Sequence, residues 1–218
     1  MNIPYKIVSR YRAETFEMDE RLPLLFRSAG SVSLSRFDGA APPVDIATEV
    51  GSIWNDTHIC IAFSGRYSSL RTAPTDTPFD QQSGKTHRLW EISDVYEVFI
   101  GPDSRSDRVY GEFQVAPDSR WIDIFIDARE EKRKADFQWK SAVVACSQID
   151  AARMIWYGFF FIPFRAFGAD ISHELTWNCN FYRISGELSS QQHLSWVPVR
   201  EVAFHKPHLF GEILFTAG

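Results

Sequence analysis

Apolar and polar residues alternate with a period of two through most of this chain, while the three-to-four residue spacing of an amphipathic helix is nearly absent. Strand side chains point to opposite faces in turn, so this pattern commits the chain to β-structure with its faces sorted by polarity. In residues 31–37, Val32 and Leu34 alternate with serines; in 58–63, Ile59, Ile61 and Phe63 share one face. Residues 95–100 set Tyr96, Val98 and Ile100 against Val95, Glu97 and Phe99, and 121–126 set Ile122, Ile124 and Ile126 against Trp121, Asp123 and Phe125. Bulk on both faces is what two packed sheets require. Further strands are expected at 111–115, 142–146, 155–162, 177–184 and 212–215, giving about nine or more in all.

Turn chemistry separates these runs. Gly101-Pro102-Asp103-Ser104 and Pro117-Asp118-Ser119 are compact turn sequences, and Asn55-Asp56 lies between two strand-like runs as a hairpin signal. Residues 64–87 and 186–195 read as long polar loops, and the mixed-charge run DAREEKRKAD at 127–136 reads as a solvated hairpin tip. The best helical candidates are short, at 13–21 and 149–152. No linker or repeat divides the 218 residues, which predict one domain over 1–218, with 1–35 as an N-terminal extension packing on it. The expected class is therefore all-β, an antiparallel β-sandwich.

Charge and cysteine usage exclude several functions. A formal net charge of −5 lacks the basic stripe that nucleic acid requires, and it disfavours an anionic membrane surface. Cys60, Cys146 and Cys179 are too few and too far apart for a disulfide framework and form no Cys-x-x-Cys pair, so they read as buried thiols. No run approaches the roughly 20 apolar residues of a membrane span, and the N-terminus lacks the apolar stretch of a signal peptide. The chain reads as soluble and of unassigned location: cytoplasmic by default, extracellular if it is cut from a longer precursor.

Catalytic motifs fail one by one. His173-Glu174 starts like a zinc-protease helix, but Trp177 stands at the second ligand position; Gly84-Lys85-Thr86 ends like a phosphate loop, but Phe79 stands where its first glycine belongs. No serine elbow or dinucleotide fingerprint is present. His205 and His208 flank Lys206-Pro207 without the spacing of a metal site. No catalytic residue is assigned.

What remains is an ordered set of aromatic-rich segments: LWEISDVYEVFIGPD, YGEFQVAPDSRWIDIFID, WYGFFFIPF, WNCNFYRISG and SWVPVREVAFHKPHLFGEILF. In order and spacing, over about residues 36–218, they resemble the family-nine carbohydrate-binding modules and their relatives in the DOMON-like β-sandwich superfamily. The resemblance implies a non-catalytic domain with an immunoglobulin-like sandwich and a carbohydrate partner, the sugar end held between aromatic rings by polar side chains. It makes Trp90 the stacking platform and Glu97 the hydroxyl acceptor. Gln114 falls where the sugar binders hold an arginine, and Ala116 where they hold an asparagine. Asn180, Tyr182 and Arg183 lie on the strand that supplies an amide, and Phe204, His205 or His208 stand where the second ring is expected. No cofactor is expected. The family's structural calcium stays unassigned among Asp103, Asp107, Asp118 and Asp123, which lack EF-hand spacing. Three alternatives stay open: a structural or interaction module that has lost the ligand, a haem-binding domain using Met18 or Met154 with His or Lys, and a glycoside hydrolase with an unidentified carboxylate pair.

Overall fold

A computed structural model describes residues 5–14, 23, 30–78, 84–168 and 176–217. The strands are β1 (Lys6–Tyr11), β2 (Ser31–Ser33), β3 (Ser35–Arg36), β4 (Thr48–Trp54), β5 (His58–Arg66), β6 (Val95–Gly101), β7 (Val109–Val115), β8 (Trp121–Asp127), β9 (Lys134–Asp136), β10 (Val144–Asp150), β11 (Ile155–Pro163), β12 (Thr176–Ser185), β13 (Gln192–Ser195) and β14 (Gly211–Thr216). One helical turn, α1 (Leu89–Ile92), precedes β6. Hydrogen bonding runs in the order β10-β11-β5-β4-β1-β14-β12-β6-β7-β8-β9, with β13 between β12 and β3, and β2 on β4.

This path curls on itself. Residues from β5 and β11 (Ile61, Phe63, Trp156, Phe160) share one core with residues from β6, β7 and β12 (Tyr96, Val98, Phe113, Phe181), although several strands separate the two groups along the sheet. The result is a two-layered, all-β sandwich whose halves are continuous through β1. That strand pairs parallel with both β4 and β14, whereas the other pairs are antiparallel. The segment read as an extension thus contributes β1 to the interior of the sheet and β2 and β3 beside it.

The expected alternation holds in the strands that matter most. Tyr96, Val98 and Ile100 face the inter-layer core, and Val95 and Phe99 join a second cluster on the outer face of the same strands with Ile122, Ile124 and Ile126. Asn55 closes the β4–β5 hairpin by accepting the Thr57 and His58 N–H groups on Oδ1 at 3.0 and 2.9 Å. Residues 127–136 form the β8–β9 hairpin. Three expectations need correction. Residues 149–152 are not helical: Ile149 belongs to β10, paired across to Trp156, and a turn follows. The loop at 64–87 begins only after Arg66, and that at 186–195 contains β13, whose residues pair with β12. The helix expected at 13–21 and the His173-Glu174 pair lie outside the described residues.

The layers are joined by a buried cation. Arg183 on β12 points inward, fully buried, and its Nη1 donates to the carbonyls of Ile46 (3.0 Å) and Arg66 (2.8 Å) and to Thr48 Oγ1 (2.9 Å), all on the opposite layer. Its guanidinium carbon lies 5.5 Å from the ring centre of Tyr96 and 5.6 Å from that of Trp156, which stack on each other at 3.7 Å. Two glycines make room: a Cβ on Gly158 would meet Tyr96 Cδ2 at 2.5 Å, and one on Gly65 would collide with the Tyr96 hydroxyl. Replacing Arg183 by Met removes the guanidinium donor from the Arg66 carbonyl and from Thr48 Oγ1 and leaves the Ile46 carbonyl only its 2.8 Å bond from Thr48 Oγ1, so Arg183→Met is expected to cost about 3 kcal/mol or more. Urea unfolding of both proteins measures this, and a loss well under 1 kcal/mol would contradict the staple.

Candidate functional site

Because Tyr96 and Arg183 face the core, their strand neighbours Glu97 and Tyr182 must face outward, and they stand directly opposite each other across β6 and β12. On the other side of β6, Glu97 pairs with Gln114 and Phe99 pairs with Glu112. The outer face of β6–β7 therefore carries two carboxylates and an amide in a patch otherwise built of Phe99, Ile124, Ile126 and Ile184. Over this floor lie α1 on one side, the β8–β9 hairpin on another, and the strap of residues 199–210. Together they enclose a pocket of about 340 Å³. Its aromatic walls are Trp90, Phe137 and Phe204; its polar groups are Glu97, Glu112, Gln114, His193, His205 and, on the hairpin, Arg133.

Each wall is held from outside the pocket. Arg71, in the loop after β5, donates to the Glu91 carbonyl at 2.9 Å and the Ser93 carbonyl at 3.2 Å, fixing the turn that carries Trp90. Lys85 makes a buried ion pair with Asp123 at 2.5 Å and donates to the carbonyls of Phe137 (3.1 Å) and Trp139, so it anchors the chain leaving the β8–β9 hairpin. The strap is held by Tyr182, whose hydroxyl donates to the Phe204 carbonyl at 3.0 Å while its ring stacks on that of Phe204 at 4.1 Å. Tyr110 Oη and His205 Nδ1 share a hydrogen bond of 2.8 Å.

The floor is acidic and nearly dry. Glu97 and Glu112 are 3% and 4% exposed. Glu112 accepts a 2.7 Å bond from Gln114 Nε2 and has His205 Nε2 3.8 Å away. Burial, only partly offset by the Gln114 bond and the Arg133 charge, raises the Glu112 carboxyl to about 7. Burial first, then the neighbouring Glu112, pushes Glu97 well above the usual carboxylate range. Burial, with Arg133 nearby, lowers His205 to about 3, so its ring is neutral and gives the carboxylates no counter-charge.

Of the residues singled out from sequence, the structure brings Trp90, Glu97, Gln114 and His205 together. Asn180 shares their face but is spent on the backbone: its Nδ2 donates to the Val197 carbonyl at 3.0 Å, and its Oδ1 accepts from Val197 N and Phe181 N, both at 2.9 Å. Tyr182 lies beneath Phe204 rather than in the opening. Arg183 faces the other way, into the core, where its guanidinium is bonded to the opposite layer. His208 is exposed on a short 3₁₀ turn, Pro207–Leu209, and does not line the pocket. Trp156, Trp177 and Trp196 are core residues.

Sequence reasoning missed Glu112, Arg133, Phe137 and His193. Glu112 carried a signal, since with Gln114 it puts polar side chains at alternate positions of a strand whose other face is apolar. Among the described residues no cluster of three or more His, Cys, Asp or Glu side chains is placed to hold a metal ion. Of the candidate calcium donors, Asp123 is bonded to Lys85 and Ser141, and Asp118 to Arg120. Met154 is exposed in the β10–β11 turn, so the described residues bring no methionine to this pocket as a haem ligand; Met18 lies outside them. No described helix is long and apolar enough to cross a membrane.

No protein-family model matches the sequence, and no curated protein matches it. Solved structures do. One from Bacteroides uniformis, of a protein proposed to bind carbohydrate, superposes with a TM-score of 0.74 at 20% identity over 96% of this chain and 98% of its own. A family 9 carbohydrate-binding module from Caldicellulosiruptor kristjanssonii in complex with cellotriose gives 0.64 at 12% identity over 98% and 95%. The same kind of module from that organism in complex with glucose gives 0.63 at 11% over 98% and 97%. At these identities the likeness is one of fold, and it is the fold that the sequence motifs implied.

A carboxyl whose pKa is raised by folding stabilises the fold while protonated. That contribution is complete below the ordinary value of 4.5 and is lost as the pH rises through about 7. Glu112→Gln removes the charge and keeps an acceptor for Gln114. Relative to the parent, the variant is expected to gain about 2 kcal/mol of unfolding free energy between about pH 5 and about pH 8. Urea titrations of both proteins at the two pH values test this, and a pH-independent difference would refute the buried charge.

Proposed function

We propose that the chain is a non-catalytic carbohydrate-binding module and that its ligand occupies the pocket between α1, the β8–β9 hairpin and the 199–210 strap. The observation that carries this reading is Glu97. It is a nearly buried carboxylate with no hydrogen-bond or ion-pair partner among the described residues, at the foot of a pocket walled by aromatic rings. A sugar supplies both complements, since its hydroxyls donate to carboxylate oxygens and its C–H faces pack on rings. Trp90 is the platform, Glu97 and the Gln114 carbonyl oxygen are acceptors, and Phe204 and Phe137 bound the opening. A pocket of this size lies at the small end of ligand sites, roughly 300–1,000 Å³, and suits about one or two sugar rings.

The shared fold with modules seen in complex with cellotriose and glucose supports the carbohydrate class. A hydrolase would place an acid and a second carboxyl on either side of the scissile bond. Here Glu97 and Glu112 rise from neighbouring strands of one floor, which favours holding a sugar over cleaving it. A module that had lost its ligand would have little reason to keep Glu97 buried and unpaired.

Titration with glucose, cello- and xylo-oligosaccharides, followed by tryptophan fluorescence, should give a saturable change that Trp90→Ala weakens at least about tenfold. Because Trp90 is only partly buried, the variant should lose no more than about 2 kcal/mol of stability, checked by thermal melting. A folded protein silent to all sugars, or unaltered affinity in the variant, would defeat the assignment.

A further inference from the structure

The pocket floor is unbalanced in a way that points to the chemistry of its ligand. Glu97 and Glu112 lie on adjacent strands and one face, a diagonal pair, with Gln114 between them. Among the described residues the one hydrogen bond reaching either carboxyl group is from Gln114 Nε2, and that orientation leaves Gln114 Oε1 buried without a partner among them. When the pair is ionised, both Glu97 oxygens, the second Glu112 oxygen and Gln114 Oε1 are acceptors without donors among the described residues, and a cation bound there would favour that ionised form.

The remaining polar groups do not supply a buried positive charge. His205 is bonded to Tyr110 through Nδ1 and stands 3.8 Å from Glu112, beyond hydrogen-bond length. His193 packs edge-on to Phe204. Arg133 is the one guanidinium among the lining residues, and it is exposed on the hairpin, where water screens it. The walls within reach of the carboxylates are otherwise Trp90, Phe99, Ile184 and Phe204.

Resting on the carbohydrate reading, we propose that this pocket selects a sugar unit bearing a free ammonium group, an unacetylated amino sugar, over its neutral and N-acetylated counterparts. A hydroxyl brings one donor and no charge. An ammonium brings three donors and the missing positive charge, and its hydrogen bonds to carboxylates are the stronger kind. Acetylation removes both advantages and adds a carbonyl acceptor facing a floor of acceptors.

The test is isothermal titration of the full chain at about pH 7 with three β-1,4-linked disaccharides: that of glucosamine, its di-N-acetylated form and cellobiose. The glucosamine disaccharide should bind at least about tenfold more tightly than either of the others. Glu112→Gln, shown by melting to be folded, should reduce that ratio to within about threefold of parity. Equal or tighter binding of cellobiose or the acetylated disaccharide overturns the ammonium proposal and leaves the carbohydrate reading standing. A preference that survives undiminished in Glu112→Gln overturns it as well, because the paired carboxylates would then not be its source. Silence toward all three, and toward the neutral oligosaccharide panel, removes the carbohydrate reading itself.

Discussion

The Arg183 guanidinium is the contact on which the arrangement of the site depends. It is carried by one layer and hydrogen-bonded to carbonyls of the other, with the Tyr96 and Trp156 rings packed beside it. A buried cation is costly unless its donors are satisfied, so once those carbonyls and Thr48 are in place, few other positions of β12 against β4 and β5 remain open. The pleat does the rest. With Arg183 and Tyr96 turned inward, Tyr182 and Glu97 are turned outward, and a slip of one residue in either strand would exchange the core with the binding floor. Asp94 lies near the same guanidinium and accepts from Ser185 Oγ and Gly186 N, linking the foot of β6 to the end of β12.

The outer face becomes a pocket only because chain segments distant in sequence cover it. A sheet face in contact with water would solvate Glu97 and Glu112 and leave them ordinary acids. The strap from Val199 to Phe210, pinned through Tyr182 and Tyr110, and the hairpin, pinned through Lys85, remove that water. The Lys85 contacts are structural, yet they set where Phe137 stands and so how wide the opening is. Packing beneath the site and electrostatics within it are in this way one construction.

How much of this was legible in the sequence follows from how local each signal is. Alternation within β5, β6 and β8 is local, so the faces of Ile61, Tyr96 and Ile124 could be read directly. The strand β13, QHLS, has little alternation to read and exists because its backbone pairs with β12. Likewise β1 is short, and its place between β4 and β14 is a parallel pairing at long range that no hairpin announces. Ile149 looked helical for want of a partner; pairing across to Trp156 makes it a strand residue. Among site residues, Trp90, Glu97, Gln114 and His205 came from motif order. Asn180, Tyr182 and Arg183 are close in sequence, but the pleat sends Arg183 to the opposite face and backbone groups occupy the other two. Glu112 was missed because its nearness to Glu97 depends on the register of the β6–β7 hairpin, whose connection from Pro102 to Arg108 is too long for its sequence to fix.

The buried acids among the described residues fall into two kinds, and the contrast supports the proposed site. Asp123 has Lys85 and Ser141, and Asp94 has Ser185, Gly186 and the nearby Arg183, so each is satisfied within the fold. Glu97 has no such partner among the described residues, and Glu112 has only an amide and a distant neutral imidazole. A fold able to place lysine and arginine against its other buried acids has left this pair without one, beside three aromatic rings and an opening to solvent. Departures from internal satisfaction concentrate where the missing partner comes from outside. On the proposed reading, the polarity of the floor describes that partner: it donates hydrogen bonds, gains from carrying positive charge, and has an apolar face for Trp90.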